Sequence, residues 1–208
     1  MPCYGHNMRK QKDDDCEIWS QFKNGDKDAF AGIYRLHIVH LLNYGSKICR
    51  NQDILKDTIQ DLYVELWNSR KNLTHVDSVK FYLFRALRYK LIRAEKKRRQ
   101  QSPFASDSPV STFGRFEIPV ETIMIDKEMH DSRINLLQKA VKALSKRQQE
   151  VIQLRFYQGF SNDQIADLMN MNYQSVSNLM YSALCRIKEN LKTPAFSATL
   201  AATLCLFC

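Results

Sequence analysis

The stretch SNDQIADLMNMNYQSVSNLMYSALCRIKENL, residues 161–191, decides how the rest of the chain is read. Its spacing predicts two helices around a tight turn. Ser161 with Gln164 is a capping-box start, in which each side chain serves the other residue's backbone N–H. Ile165, Ala166, Leu168 and Met169 supply the buried side of a short first helix. Met171-Asn172 interrupts it, and Asn172 is suited to cap the helix that follows. Val176, Leu179, Met180, Ala183, Leu184 and Ile187 then recur at helical spacing. The early outward face of that second helix holds Gln174, Ser175, Ser177, Asn178 and Tyr181, with no carboxylate among them. A helix-turn-helix lays such a face in the DNA major groove, where amides and hydroxyls meet base edges. A helical hairpin packed inside any all-α core fits this stretch equally well.

Upstream, residues 129–144 carry a helical pattern. Ser145 with Gln148 opens another capped helix with Val151, Ile152, Leu154 and Phe156 as inner positions, and Gly159 stops it. A domain of four helices over 129–192 results. Before it the texture changes: SPFASDSPVSTFGRFEIPVET contains Pro103, Pro109 and Pro119, many Ser and Thr, and no helical period. Residues 101–128 therefore read as an extended linker between two separately folded units.

The segment from Val79 to Gln100 carries the charge. Between Arg85 and Gln100 stand eight Lys and Arg against one Glu, most of the chain's formal net charge of +9. At about 100° per residue its positions separate into two faces. Leu83, Phe84, Leu87, Leu91 and Ala94 form a core side. Phe81, Tyr82, Arg85, Arg88, Tyr89, Ile92, Arg93, Lys96 and Arg99 form the other. Aromatics interleaved with cations suit single-stranded nucleic acid, because cations follow phosphates while rings stack on unpaired bases. A basic solvated face and a membrane-surface helix are the rival readings. The second would need the apolar face exposed, and here packing claims it.

Residues 1–15 are polar and end in three Asp, a lead into a helix with Ile18, Trp19 and Phe22 that stops at Gly25. Asp26 is placed to cap a second helix, whose apolar stripe Phe30, Ile33, Tyr34, Ile38, Leu41, Leu42 reaches Tyr44-Gly45. In the next helix, Ile54, Leu55, Ile59, Leu62, Leu66 and Trp67 mark an inner face, and Asp57, Gln60, Asp61 and Glu65 an outer acidic stripe. That stripe fits a solvated face or a docking surface for a basic partner. A carboxylate metal site would want a Glu-x-x-His beside it, and there is none.

Composition bounds the function classes. A pI of about 9.3 suits nucleic acid or an anionic surface. Six Gly and five Pro in 208 residues favour helices over a strand-and-turn fold. The six Cys form no regular framework and the start carries no hydrophobic signal segment, which points to a reducing cytoplasm. Cys205-x-x-Cys208 has metal or redox spacing but no second ligand pair beside it, and the five His form no recognisable ligand pair. The apolar tail AFSATLAATLCLFC falls short of the ~20 residues a spanning helix needs. No Ser/His/Asp set and no phosphate-cradling Gly loop is present, so no enzymatic activity and no cofactor are expected.

Taken together, these pieces resemble a bacterial RNA polymerase sigma factor of the extracytoplasmic-function (ECF) group, over roughly Trp19 to Leu191. Gly25-Asp26-x-x-Ala29-Phe30-x-x-Ile33-Tyr34 is similar to the family's first-domain start. Asp57-x-x-Gln60-Asp61 followed by Trp67 resembles its polymerase-docking helix, and Phe81-Tyr82-Leu83 with the basic helix its promoter-melting element. Leu144-Ser145 through Gly159-Phe160-Ser161 to Ile165-Ala166 and Ser175-Val176 resembles its final DNA-reading domain. The order and the linker are as the family has them.

The resemblance implies an all-α protein of two small helical domains, 16–100 and 129–192, with a flexible lead 1–15, the linker 101–128 and a tail 193–208. It implies that Asp57, Gln60 and Asp61 bind the clamp helices of the largest subunit of core RNA polymerase. Phe81, Tyr82, Arg85, Arg88, Tyr89, Arg93 and Lys96 would hold and melt the minus-ten element. Gln174, Ser175, Ser177, Asn178 and Tyr181 would read the minus-thirty-five element, with Arg186 and Lys188 near phosphates. An anti-sigma factor, which could be membrane-bound, is the other partner implied.

The chain departs from the family at Tyr89, where an Asn is usual, and at Arg93, near which an Asp or Asn is usual. Ser145 replaces a frequent Pro, Ser182 a frequent basic residue, and the tail lies outside the pattern. The rivals are a stand-alone helix-turn-helix regulator and a metal-dependent nuclease or transposase fragment using Asp57, Asp61 and Glu65. The first wants a dimer interface or effector domain that residues 1–100 do not suggest. The second wants carboxylates converging from different elements.

Overall fold

A computed structural model describes residues 16–49, 51–101 and 136–191. Among them the chain is all helix and loop, with no strand. It divides into two compact units, Met1–Gly114 and Arg115–Cys208. The linker 102–135, the lead 1–15 and the apolar tail lie outside the described residues, as do the expected helical residues 129–135.

The first unit contains α1 (16–23), α2 (Lys27–Ile48), α3 (Gln52–Ser69), a 3₁₀ turn (Arg70–Asn72) and α4 (Val79–Gln101). Each start is set by a local acceptor. Asp26 accepts from the N–H groups of Asp28 and Ala29, as its position after Gly25 predicts. Asn51 does the same for α3 from Asp53 and Ile54, and Ser78 Oγ accepts from the Phe81 N–H. Trp19 and Phe22 of α1 are buried as expected, and α2, α3 and α4 pack pairwise around Ile33, Leu41, Leu55, Leu66, Leu83, Leu87 and Leu91.

Gly45 does not end α2, which runs on to Ile48. It is a crossing point instead. A Cβ there would collide with Leu55 Cδ1 and crowd Leu91 and Leu87, so only glycine lets the three helices approach this closely.

The second unit contains α5 (136–142), α6 (Lys146–Ile152) running into a π-helical turn (Gln153–Tyr157), α7 (Asn162–Met169) and α8 (Tyr173–Leu191). Both predicted capping boxes form: Ser145 with Gln148, and Ser161 with Gln164. Asn172 accepts from the Ser175 N–H at 2.7 Å, the cap expected of it. The break between α7 and α8 falls on Asn170, in the left-handed region at φ 53.

Phe156 departs from its expected inner place and is 54% exposed. Through the π turn Leu154 stays buried, and beyond Gly159, at φ 74, Phe160 folds back into the core instead. The Phe160 N–H donates to Leu154 O at 3.1 Å, which holds that return. Ala140, Val141, Leu144, Ile152, Ala183, Ile187 and Leu191 form the main cluster under α8.

Candidate nucleic-acid and protein-docking surfaces

On α3 the residues Asp57, Gln60 and Asp61 are all exposed, while Leu55, Ile59, Leu62 and Leu66 point inward. The fourth member of the expected stripe is engaged at home. Glu65 Oε1 accepts from Lys90 Nζ of α4 at 2.6 Å, so it ties the two helices rather than offering a free carboxylate.

Beside this stripe lies a feature the sequence reading merged into one face. The apolar stripe of α2 splits in two. Ala29, Ile33, His37, Leu41 and Tyr44 face the core. Phe30, Tyr34, Ile38 and Leu42 instead line an open groove of about 840 Å³ with Ile59, Gln60, Tyr63 and Trp67 of α3. The i, i+4 repeat of Phe30, Tyr34, Ile38 and Leu42, one residue out of phase with the core stripe, was the available signal. Rings build the groove: Phe30 and Trp67 centroids are 5.1 Å apart, and Tyr34 meets Tyr63 edge-on at 4.9 Å. The Tyr63 hydroxyl is buried with no hydrogen-bond partner among the described residues, and burial drives its pKa up. At the end of α3, Arg70 stacks over the Trp67 ring at 4.3 Å and donates to the Trp67 carbonyl at 2.7 Å.

On α4 the expected face divides. Arg85, Tyr89, Arg93 and Lys96 are exposed, with Tyr89 at 67%. Phe81, Tyr82, Arg88 and Ile92 are half-buried. Tyr82 belongs partly to the fold: its ring packs on Trp19 at 5.4 Å, and burial, then the nearby Glu65 carboxylate, raises the pKa of its hydroxyl. The outermost part of the face is therefore a ridge of cations around one aromatic ring. Glu95, the one acid of the basic run, pairs with Arg98 at 2.8 Å on the same helix.

On α8 the predicted face is present. Gln174, Asn178, Tyr181 and Arg186 are exposed, and Ser175 and Ser177 half-exposed. The side chains are ordered by one another. Gln174 Nε2 donates to Asn178 Oδ1 at 3.1 Å, and Asn162 Nδ2 of α7 donates to Ser177 Oγ at 3.5 Å. Tyr173, at the first position of α8, is exposed beside Gln174 and was absent from the sequence-based set. Ser182 faces inward to α6, accepting from Gln148 Nε2 at 2.9 Å and donating to Leu179 O at 3.0 Å.

Comparison with known proteins agrees with this architecture. The family described as sigma-70, region 4 matches residues 134–187, which span α5 to α8 up to Ile187. A relative named ECF RNA polymerase sigma factor SigK, from Mycolicibacterium vanbaalenii, is 23% identical over 174 residues, 82% of this chain and 86% of its own. RNA polymerase sigma factor YlaC of Bacillus subtilis is 21% identical over 79% of this chain and 93% of its own. Among solved structures, the sigma factor RpoE of Bartonella quintana, in complex with the anti-sigma factor NepR, superposes with a TM-score of 0.58. It is 21% identical, over 81% of this chain and 99% of its own. CnrH, in complex with the cytosolic domain of CnrY, gives a TM-score of 0.53 at 17% identity, over 85% of this chain and 96% of its own.

The helix-turn-helix unit and its family match define a sigma-70-type, DNA-reading domain. With sigma-factor relatives aligned along about four-fifths of its length, the chain is an extracytoplasmic-function sigma factor. It directs promoter-specific transcription, and the stand-alone regulator is the disfavoured reading. Sigma factors are in general non-enzymatic DNA-binding regulators. No helix among the described residues is long and apolar enough to cross a membrane.

Proposed function

We propose that this sigma factor works through three separate surfaces, each matched to a different partner. The α3 surface, Asp57, Gln60 and Asp61 with the adjoining groove, docks on the clamp helices of the largest subunit of core RNA polymerase. The observation that carries this is the contiguity of an exposed acidic stripe and an aromatic groove, with Gln60 belonging to both. Carboxylates steer a basic partner into register, while rings supply the apolar area that gives affinity.

The α4 ridge of Arg85, Tyr89, Arg93 and Lys96 holds the opened minus-ten strand, with Tyr89 as a base-stacking platform and the cations along the phosphates. Half-buried Phe81, Tyr82 and Arg88 border it, and Tyr82 contributes mainly by seating α4 on Trp19. The α8 face, Gln174, Ser175, Ser177, Asn178 and Tyr181, reads the minus-thirty-five element, with Arg186 toward phosphates. The domains follow: 16–100 for core and minus-ten binding, 129–192 for minus-thirty-five binding, with 101–128 as the linker. The protein acts in the cytoplasm, without an enzymatic activity of its own. An anti-sigma factor is a further partner, as NepR is in the Bartonella quintana complex.

Promoter-dependent transcription with core polymerase, comparing the wild-type chain with Asp61→Lys, tests the reading. Wild type should assemble with core and initiate, and the reversed charge should abolish both. Assembly unaffected by Asp61→Lys together with Gln60→Ala would refute the docking surface.

A further inference from the structure

Cys16 and Trp19 lie one turn apart on α1, and both reach the loop that leads into α4. The Trp19 indole N–H donates to Thr74 O at 3.2 Å. Trp19 is buried, so this bond fixes the loop against the core. The next residue, His75, is thereby brought with Nε2 to 3.7 Å from Cys16 Sγ. Cys16 is a free, half-buried thiol and His75 is exposed, so the pair stands at the surface of a rigid seat.

We propose that Cys16 and His75 are two ligands of a tetrahedral zinc site that Cys3 and His6 complete. Bonds of about 2.3 Å to sulfur and about 2.0–2.1 Å to imidazole nitrogen, at a tetrahedral angle, set the two ligand atoms about 3.6 Å apart. The observed 3.7 Å is that separation. Among the described residues no third Cys, His, Asp or Glu joins the pair. The remaining donors come from the segment that runs directly into Cys16, which contains Cys3-x-x-His6. At roughly 3.3–3.6 Å per residue the chain between His6 and Cys16 spans ample distance to fold back on its own end. Thiolate and imidazole donors select zinc over the oxygen-seeking magnesium and calcium.

Such a site has a structural consequence. It closes the chain between Cys16 and His75, 59 residues apart, and clips the start of α1 to the loop in front of the DNA-facing α4. Metal clips that close long loops restrict the unfolded chain the most. Zinc should therefore raise the unfolding midpoint of the first unit.

Titrating the full-length reduced chain with Co²⁺ tests this. One Co²⁺ per chain, with tetrahedral visible absorption and a thiolate-to-metal band that Zn²⁺ displaces, is expected. Cys16→Ser and His75→Gln should each remove the band. Cys3→Ser with His6→Gln should remove its tetrahedral character, and Cys205→Ser with Cys208→Ser should leave it intact. Circular dichroism checks that each variant folds, and His75→Gln, at an exposed loop position, provides the test even if Cys16→Ser does not. Absence of any signal at micromolar metal, its survival in the His75→Gln chain, its indifference to the Cys3/His6 change, or its loss with Cys205 and Cys208 would each overturn the assignment.

Discussion

The two units reach helical folds by different means. The first has α2, α3 and α4 of 22, 18 and 23 residues, joined by aromatic packing: Trp19 on Phe22 and Tyr82, Phe30 on Trp67, Tyr44 on Phe84. The second uses α6 and α7 of seven and eight residues over a mainly aliphatic core. Helices that short are marginal alone, so each is held at its start by a complete capping box. Side-chain amides do the rest. Gln149 Nε2 donates to Leu144 O at 2.9 Å, and Gln148 links α6 to Ser182 of α8. The DNA-facing helices differ in the same sense. The α4 ridge is charged and aromatic, suited to phosphates and unpaired bases, while the α8 face is a neutral amide and hydroxyl surface suited to base edges.

The largest expected contrast between the units is acid sensitivity. His37 is 8% exposed in the core of the first unit, and its Nδ1 has no partner among the described residues. Burial, then Lys80 and His40, lowers its pKa from 6.5 to about 4. Between those values the unfolded chain takes up a proton that the folded unit refuses, so stability falls as pH drops through that window. Near pH 4 the loss on this account should approach about 3 kcal/mol, from roughly 1.36 kcal/mol per pH unit of displacement. The described residues of the second unit contain no His. Urea midpoints of wild type and His37→Gln between pH 7 and 4 check this: the variant should lose the part of the slope that His37 causes.

Next in size is Gly45→Ala. The added methyl would force Leu55, Leu87 or Leu91 to move, an overpacking cost of about 1–3 kcal/mol confined to the first unit. Thermal melts should show one weakened unit and one unchanged.

The third test separates the DNA faces. Arg93→Ala should weaken promoter binding across sequences and reduce the salt slope by about one. Gln174→Ala should leave the salt slope unchanged and cost about 1–3 kcal/mol of discrimination at one base pair. Binding isotherms at several salt concentrations, on matched and substituted promoters, distinguish the two. Equal salt dependence in both variants would erase the contrast.

The smallest effect should come from Ser161→Ala, which removes one half of the α7 capping box. It should lower stability of the second unit by about 1 kcal/mol, read from its denaturant midpoint.

The sequence alone determined the all-α class, the helix starts and most of the α8 face, because these depend on interactions within a few residues. Ser145 with Gln148, Ser161 with Gln164, Asp26 and Asn172 act locally, and so they were legible before any packing was known. The exposed part of the acidic stripe and the cations of α4 were legible from periodicity.

What only tertiary structure decided are the matters settled by a neighbour distant in sequence. Phe30, Tyr34, Ile38 and Leu42 became a groove rather than core because α3 covers one side of α2 and leaves the other open. Tyr82 became a half-buried packing residue because Trp19, 63 positions earlier, takes its ring face. Glu65 left the docking stripe because Lys90 reaches it from α4, and Ser182 turned to Gln148 rather than to DNA. His75 meets Cys16 only because Trp19 pins the loop between them, and no count of cysteines and histidines along the chain could have paired them. Periodicity assigns a residue to a face, and packing decides what that face meets.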